Sequence, residues 1–495
     1  MKIGSVVSAS VLKGIDAKLE LENPEELKVG WPVIVEGKKY DFYCIIKDIY
    51  NPPANIVERI AGSGIHDTVP LSEHNPNTVF SKASLKAIQL IDKNGKLLEP
   101  ETIPSYLSPV RTAKKEDVNK IYTKNEYTMN VGTLRGVPEF EISIDYKKLT
   151  EKPFAIFGRT GMGKSILCKI VCNSILAKAA ASVFIFDMQS EYGTFSKSDN
   201  TPGLKFFFPE KVEMFTLDSS NREAKPFIID SKNIRPEDII VAFQDISPPM
   251  IDALYIINKE RKNDLISGIK NATLEKYPTA HPSALQALQR RIMRLDRFSF
   301  IMEGNDTFNQ LIALIKNGKS IVLDFGKYGR DAMAYLFLAN IIARRLYNEY
   351  SENDYPRLVL FLEEAHKFLA PEIAGYTIFD RLARETRKFN LILALIDQRP
   401  SRIDEEVGSQ LANRLILSMK EPSDIESALA GVSDKSVWKD IVATIPARTL
   451  LLLGDAIRVP TVVDIMDYNK MRTSLSGFNK KDIDKIAKQS DKIFG

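Results

Sequence analysis

Cysteines, histidines and long apolar runs are scarce in this sequence. The 495 residues include three cysteines without CxxC spacing and four scattered histidines, so a zinc cluster is not expected. Cys168 and Cys172 lie four residues apart on a predicted helix, where two small core residues are expected rather than a disulfide. No apolar run reaches the roughly 18 residues that span a membrane, and Met1 begins a strand-like pattern rather than a signal peptide. We therefore expect a cytoplasmic protein without a membrane partner.

An excess of charge of one sign is also lacking. The formal net charge is only +4, so contacts to nucleic acid would have to come from local placement of charge. Hydrophobic residues make up 44% and charged residues 27%, as in ordinary folded proteins. The length is about three times that of a common single domain, which predicts a large core with appended units.

The hydrophobic pattern changes along the chain. Residues 1–146 show short strand-like runs between turns, such as YDFYCIIKDIY and the alternating EFEISIDY, and predict a small β-barrel. From residue 147, near-continuous apolar strands (PFAIFG, SVFIFD, RLVLFLEEAH, NLILALIDQ) alternate with helical patterns, as in a parallel sheet buried on both faces. The predicted α/β core covers residues 147–235 and 301–465, a helical insertion covers 236–300, and a lysine-rich helical brace covers 466–495.

The segment GRTGMGKS matches G-x-x-x-x-G-K-[ST] and lies between a predicted strand and a predicted helix. Glycines let the backbone N–H groups wrap phosphates at the helix N-terminus. Lys164 is expected to contact the β- and γ-phosphates of ATP, and the Ser165 hydroxyl to ligate Mg²⁺. The predicted nucleotide-binding residues are Gly158, Arg159, Thr160, Gly161, Met162, Gly163, Lys164 and Ser165.

Two carboxylates end the apolar strand RLVLFLEEAH. We assign Glu363 to Mg²⁺, directly or through water, and Glu364 to the attacking water. ATPases with this phosphate-binding motif usually carry Asp at the first position, so the longer Glu363 side chain leaves direct metal ligation open. Surface charge at a strand end is the alternative interpretation.

Two other segments carry polar side chains suited to the same chemistry. FDMQSEYG offers Asp187 as a further metal ligand and Glu191 as a competitor of Glu364 for the water-activating role. Gln398, at the end of LILALIDQ, is placed like a sensor that hydrogen-bonds the γ-phosphate, since a neutral amide can contact phosphate without changing the net charge. A loop glutamine without such a role is the alternative.

Arginines recur every three residues in DRLARETRKFN. In ring motors a helix at this place faces the next subunit, so Arg381 or Arg384 is predicted to reach the neighbour's γ-phosphate as an arginine finger. Salt bridges within the subunit, for example to Asp380 or Glu385, are the alternative.

Taken as a set, these motifs resemble those of the HerA helicase family of archaea, a branch of the HerA/FtsK group of RecA-like ring motors. The resemblance rests on GRTGMGKS, DMQSEYG, EEAH, RLARETRKFN, DQRPSRIDEEVGSQLANRLIL and LLLGDAIRVP, and it covers nearly the whole chain. It implies a RecA-like P-loop core preceded by the barrel that the family calls HAS.

The resemblance further implies a homohexameric, ATP-driven DNA translocase or helicase that works with the nuclease NurA, and possibly other break-repair proteins, in resecting DNA ends. In such motors the loops after the Glu-Glu strand and after the sensor line the channel, which makes Arg399 and Arg402 candidates for contact with DNA phosphates. Glu405 and Glu406 oppose a purely cationic channel loop.

Three other functions compete with this interpretation. A secretion or conjugation ATPase shares the core but usually docks on a membrane. A protein-remodelling ring of the AAA+ class is disfavoured by the GDAIRVP ending and by the absence of an obvious helical lid. A nucleotide-switched structural module would show negligible turnover with or without DNA.

Overall fold

The computed structural model describes residues 1–21, 23–52, 80–122, 124–196, 201–243, 245–261, 264–385 and 389–471. These residues fold into a barrel, a large mixed sheet with helices on both faces, and a helical segment. The predicted brace at 466–495 lies almost entirely outside the described residues.

The N-terminal strands close into a six-stranded antiparallel barrel. Their order is β2-β1-β7-β3-β4-β5, and pairing of β2 with β5 closes the ring, with β6 added beside β5. The apolar faces of these strands pack inside the barrel around Val33, Phe42 and Leu85. The strands are β1 (Lys2–Ser10), β2 (Gly14–Leu19), β3 (Pro32–Glu36), β4 (Tyr40–Tyr50), β5 (Lys82–Asp92), β6 (Leu97–Leu98) and β7 (Pro109–Thr112).

The alternating segment at the end of the predicted barrel is a strand, but it lies in the core sheet. β8 (Thr128–Leu134) and β9 (Val137–Asp145) form a hairpin, and β8 pairs with the C-terminal strand β21 (Thr461–Ile465). The prediction that residues 1–146 all form the barrel is therefore wrong for this hairpin. Alternation specifies which face of a strand is buried but not which strand it pairs with.

The core is a sheet of twelve described strands in the order β13-β12-β16-β11-β17-β18-β10-β19-β20-β21-β8-β9. The strands from β13 to β19 in this order pair in parallel, and the remainder are antiparallel. The strands not yet given are β10 (Phe154–Phe157), β11 (Ser182–Asp187), β12 (Val212–Thr216), β13 (Lys225–Pro226), β16 (Ser320–Asp324), β17 (Leu358–Glu363), β18 (Leu391–Asp397), β19 (Asn413–Leu417) and β20 (Thr449–Gly454).

Helices cover both faces of this sheet, which explains why its parallel strands are apolar throughout. The helices are α1 (Lys115–Ile121), α2 (Tyr146–Leu149), α3 (Lys164–Ala177), α4 (Leu204–Phe207), α5 (Pro236–Ala242), α6 (Pro248–Glu260), α7 (Leu265–Lys270), α8 (Pro282–Met293), α9 (Phe308–Lys316), α10 (Ala332–Glu352), α11 (His366–Leu369), α12 (Ile378–Glu385), α13 (Glu405–Ser409), α14 (Pro422–Ala428) and α15 (Lys435–Thr444). The α/β class and the N-terminal barrel are confirmed.

Helices α5 to α8 occupy the segment predicted as a helical insertion. The short parallel pair β14 (Ile229–Asp230) and β15 (Ile301–Met302) brackets it. Buried Asp238 ties it to α10, accepting hydrogen bonds from Asn340 Nδ2 at 2.9 Å and Arg344 Nε at 3.2 Å. No strand interrupts the described part of 236–300, and the domain boundaries themselves stay predictions.

The described residues bear on two expectations, one about the cysteines and one about membrane-spanning segments. Cys168 and Cys172 are buried and unoxidised, with their sulfurs 3.9 Å apart. None of the described helices combines the length and apolar composition that crossing a bilayer requires.

Candidate active site

The segment from Gly158 to Ser165 forms the loop between β10 and α3 and the first two residues of α3, at the carboxyl ends of the parallel strands. The neighbouring parallel strands end at the same level, because Phe157 is in register with Asp397 and Glu363 with Ile396. Side chains at the ends of β11, β17 and β18 therefore converge on the loop. The free N–H groups of the first turn of α3 and the helix dipole favour an anion there.

All three glycines of this loop, Gly158, Gly161 and Gly163, have positive φ angles that a side chain would oppose. A Cβ on Gly158 would lie 2.8 Å from Cβ of Leu417, and its φ is 156°. Gly163, the N-cap of α3, has a φ of 104°. The glycines of the motif thus allow a path that places the backbone close to β19 and to the start of the helix.

Lys164 lies inside the site rather than in solvent. Its Nζ donates a 2.7 Å hydrogen bond to the carbonyl oxygen of Gly158. Burial lowers the pKa of Lys164, and the nearby Glu364, Asp397 and Glu363 raise it in part. An ammonium held among carboxylates at the phosphate loop is suited to move onto a phosphate chain.

A cluster of carboxyl groups lies at the ends of β11 and β17. Asp187 accepts backbone hydrogen bonds from Glu191 and Tyr192, both at 2.8 Å, and Tyr192 Oη donates to Glu363 Oε1 at 2.8 Å. Tyr335 Oη donates to the Glu363 carbonyl at 2.6 Å. Burial raises the pKa of Asp187 to about 7 and that of Glu363 to about 8, and the neighbouring carboxylates add to both shifts.

These shifts predict how stability depends on pH when metal and nucleotide are absent. Both pKa values are raised in the fold, so the unfolded chain releases these protons first, and the stabilisation present below the ordinary carboxyl pKa is lost as pH rises through about 7 and about 8. We expect these two groups to make the free energy of unfolding, measured by denaturant titration in EDTA, larger at low pH than above pH 8. Glu363→Gln, which stays neutral, should show a flatter dependence, and identical slopes would contradict the assignment.

Glu364 and Gln398 form a bridge to the phosphate loop. Gln398 Nε2 donates to Glu364 Oε2 at 3.2 Å, and Gln398 Oε1 accepts from the Thr160 hydroxyl at 2.8 Å. Glu364 has a left-handed φ of 49°, which is uncommon for a residue with a side chain. One amide therefore links the predicted water-activating carboxylate to the loop.

His366 and Asp397 belong to the same network, although sequence analysis did not select either. Asp397 is buried and accepts bonds from the backbone N–H of His366 at 2.7 Å and of Arg399 at 2.6 Å. His366 Nδ1 lies 3.0 Å from Asp397 Oδ2, and its Nε2 lies 3.8 Å from Glu364 Oε2. Asp397 could have been found from the sequence, because it is an acidic residue at the end of an apolar strand and directly precedes Gln398.

The two candidate finger arginines differ in their surroundings. Arg384 Nη2 lies 2.9 Å from Asp380, and Arg384 also pairs with Glu406. Asp380 and then Glu406 raise the pKa of the Arg384 guanidinium. Arg381 is exposed, stacks over the Tyr347 ring with 5.6 Å to its centroid, and makes no ion pair within the described residues. The salt-bridge alternative thus describes Arg384, while Arg381 faces a cleft of about 900 Å³.

The two candidate DNA contacts follow β18. Arg399 and Arg402 are both exposed, in and beside a 3-10 turn at Pro400–Arg402. Glu405 and Glu406 are exposed on the helix that follows. Side chains of both signs therefore reach the surface here.

A parallel sheet with this loop at the carboxyl ends of its strands defines the class as a P-loop NTPase with a RecA-like core. A solved structure with a similar fold is VirB4 of Thermoanaerobacter pseudethanolicus, with a TM-score of 0.50 and 14% identity, covering 70% of this chain and 98% of that one.

Within this class, residues 129–346 match the family model described as the central domain of helicase HerA. The DNA double-strand break repair helicase HerA of Sulfolobus acidocaldarius is 25% identical, over 96% of this chain and 95% of the relative. The protein of the same name from Sulfurisphaera tokodaii is 28% identical, over 85% of this chain and 84% of the relative. The resemblance to the HerA helicases is confirmed.

Proposed function

We propose that this protein is an ATP-dependent DNA translocase or helicase that acts in the repair of double-strand breaks. The observation that carries the proposal is the bridge from Thr160 of the phosphate loop through Gln398 to Glu364. It joins a phosphate cradle to a carboxylate able to activate water, in a chain similar to DNA repair helicases along its length.

The chain's own residues fit Mg²⁺. Ser165 supplies a hydroxyl and Glu363 a carboxylate, and Mg²⁺ prefers oxygen donors. Both oxygens of Asp187 accept backbone N–H groups, so a role in holding the backbone of Glu191 and Tyr192 suits this residue better than direct ligation. The ion would supply positive charge at the phosphate chain.

In hydrolysis, Lys164 would leave the Gly158 carbonyl and contact the phosphates. Glu364 would accept a proton from the attacking water, while the Asp397 and His366 pair fixes the backbone beside it. The single amide of Gln398 cannot hydrogen-bond Thr160, Glu364 and a γ-phosphate equally well at the same time. A γ-phosphate would therefore displace one of the two present partners, and its loss after hydrolysis would restore that contact. Glu191 remains the alternative base.

We further propose that the active form is a homohexameric ring in which Arg381 enters the ATP site of the adjacent subunit. Arg381 supports this role because it is exposed and without a carboxylate partner among the described residues, whereas Arg384 is held by Asp380 and Glu406. A guanidinium supplied in trans would stabilise charge on the transferring phosphoryl group.

Mixing experiments test the trans arrangement. Arg381→Ala and Lys164→Ala subunits should each be inactive alone, and mixtures should regain part of the ATPase activity, because some interfaces then pair an intact phosphate loop with an intact Arg381. Arg384→Ala is the matched control and should keep most activity by itself. Absence of recovery at every ratio, with mixed rings verified by native mass spectrometry, would contradict the trans model.

The proposed translocation substrate is DNA, and Arg399 and Arg402 are the proposed contacts to its phosphates. The proposed nuclease partner is NurA, which would dock on the barrel. We place this activity in the cytoplasm. We propose other break-repair proteins as further partners. Exposure of both arginines on the turn after Gln398 supports coupling between nucleotide state and DNA.

The experiment that tests the proposal is ATP hydrolysis with and without linear duplex DNA over a salt series. Stimulation that fades as salt rises is expected, since contacts to phosphates release counterions. Hydrolysis that is indifferent to DNA at every salt concentration would keep the nucleotide site and reject the DNA motor.

A further inference from the structure

Arg448 lies against the phosphate loop in a backbone conformation that disfavours side chains. Its φ is 59°, in the left-handed region. Its N–H donates to the Met162 carbonyl at 3.0 Å, and its own carbonyl accepts from Ile465 N–H at 2.8 Å. The residue is thus held on both sides, and one of its anchors is the phosphate loop itself.

The side chain of Arg448 starts out over the N-cap of α3. A Cβ placed on Gly163 would be 3.7 Å from Cγ of Arg448. Arg448 is exposed, and its guanidinium makes no hydrogen bond or ion pair within the described residues. Nearby Arg135, by contrast, is paired with Asp464 at 2.8 Å. Arg448 thus has a left-handed backbone conformation beside the phosphate loop, and its charge has no partner among the described residues. This combination suggests that the side chain contacts a ligand.

The sheet order tells which part of a nucleotide Arg448 would contact. Glu364 and Gln398 follow β17 and β18, on one side of β10. Arg448 precedes β20, which lies beyond β19 on the other side of β10. Since Glu364 is proposed to activate the water that attacks the γ-phosphate, that end of the nucleotide would lie on the side of Glu364 and the α-phosphate on the side of Arg448.

We propose that the Arg448 guanidinium binds the α-phosphate of the nucleotide, opposite the hydrolytic carboxylates. The guanidinium can offer two N–H groups to two phosphate oxygens, which makes a strong charge-assisted contact. This inference rests on the proposed nucleotide site and adds a binding residue outside the phosphate-loop motif. Arg448 acts on affinity, since it does not touch the reacting γ-phosphate.

Arg448→Gly tests the proposal, because glycine relaxes at a positive φ and the variant removes the guanidinium without adding strain. We expect the dissociation constants of ATP and ADP, measured by calorimetry on the full chain with Mg²⁺, to rise together by about 10- to 100-fold. KM for ATP should rise much more than kcat falls. Arg448→Asn, which also tolerates this backbone region, repeats the test if the glycine variant folds poorly.

Arg458→Ala is the matched control, an exposed arginine beyond the far end of β20. It should bind both nucleotides as the unsubstituted protein does. Unchanged ADP affinity in Arg448→Gly, or a loss confined to ATP, would overturn the α-phosphate contact while leaving the nucleotide site intact. If the unsubstituted protein binds neither nucleotide, the proposed function fails as well.

Discussion

Replacing Lys164 by alanine should abolish ATP turnover, with a fall of at least about 100-fold in kcat/KM. The ammonium is held by the Gly158 carbonyl close to Glu364 and Asp397, inside the site. Without it, the carboxylates of Glu364 and Asp397 would face the phosphates without a compensating positive charge. Phosphate release in a steady-state assay measures the loss, and nucleotide-induced thermal stabilisation measures binding.

Lys178→Ala is the matched control for this substitution. Lys178 is the C-cap of the same helix, and its Nζ donates to the Glu126 carbonyl at 3.0 Å, away from the loop. Its loss should leave turnover close to that of the unsubstituted protein. Substantial ATPase activity in Lys164→Ala would reject the assignment of the phosphate loop.

Replacing Glu364 by glutamine should leave ATP bound and stop its hydrolysis. Glutamine has nearly the shape of glutamate, and its amide oxygen can still accept the hydrogen bond from Gln398 Nε2. It cannot accept a proton from water, and loss of a general base costs about 10² to 10⁴ in rate. Filter binding with labelled ATP and single-turnover hydrolysis separate retained binding from lost chemistry.

Glu191→Gln is the comparison that decides between the two candidate bases. Glu191 is buried beside Asp187 and Tyr192, in the segment that follows β11. We expect a smaller loss of turnover there than in Glu364→Gln. The reverse order of effects would transfer the water-activating role to Glu191.

Local sequence patterns were sufficient for the elements that carry the site. GRTGMGKS between an apolar strand and a helix predicted the loop that joins β10 to α3, and the apolar strands predicted a sheet buried on both faces. Glu363 and Glu364 at the end of β17 were predicted as strand-end carboxylates in the same way. These features depend on residues near one another in the chain, where periodicity and turn chemistry act directly.

Local patterns do not specify which strands or side chains distant in the sequence pair with one another. EFEISIDY predicted a strand correctly, yet only the pairing of β8 with β21 assigned its hairpin to the core sheet instead of the barrel. The preference for Arg381 over Arg384 likewise needed the positions of Asp380 and Glu406. Partners distant in sequence are chosen by packing of the whole fold.

The sequence by itself determined the class of the protein, because a phosphate loop needs glycines, a lysine and a hydroxyl at fixed spacing on one short segment. Only the tertiary structure decided how the site is completed. The link from Thr160 through Gln398 to Glu364, and the approach of Arg448 to Gly163, join residues more than 200 positions apart. Their proximity follows from the order of the strands in the sheet, which places the carboxyl ends of the parallel strands next to the start of the antiparallel strand β20.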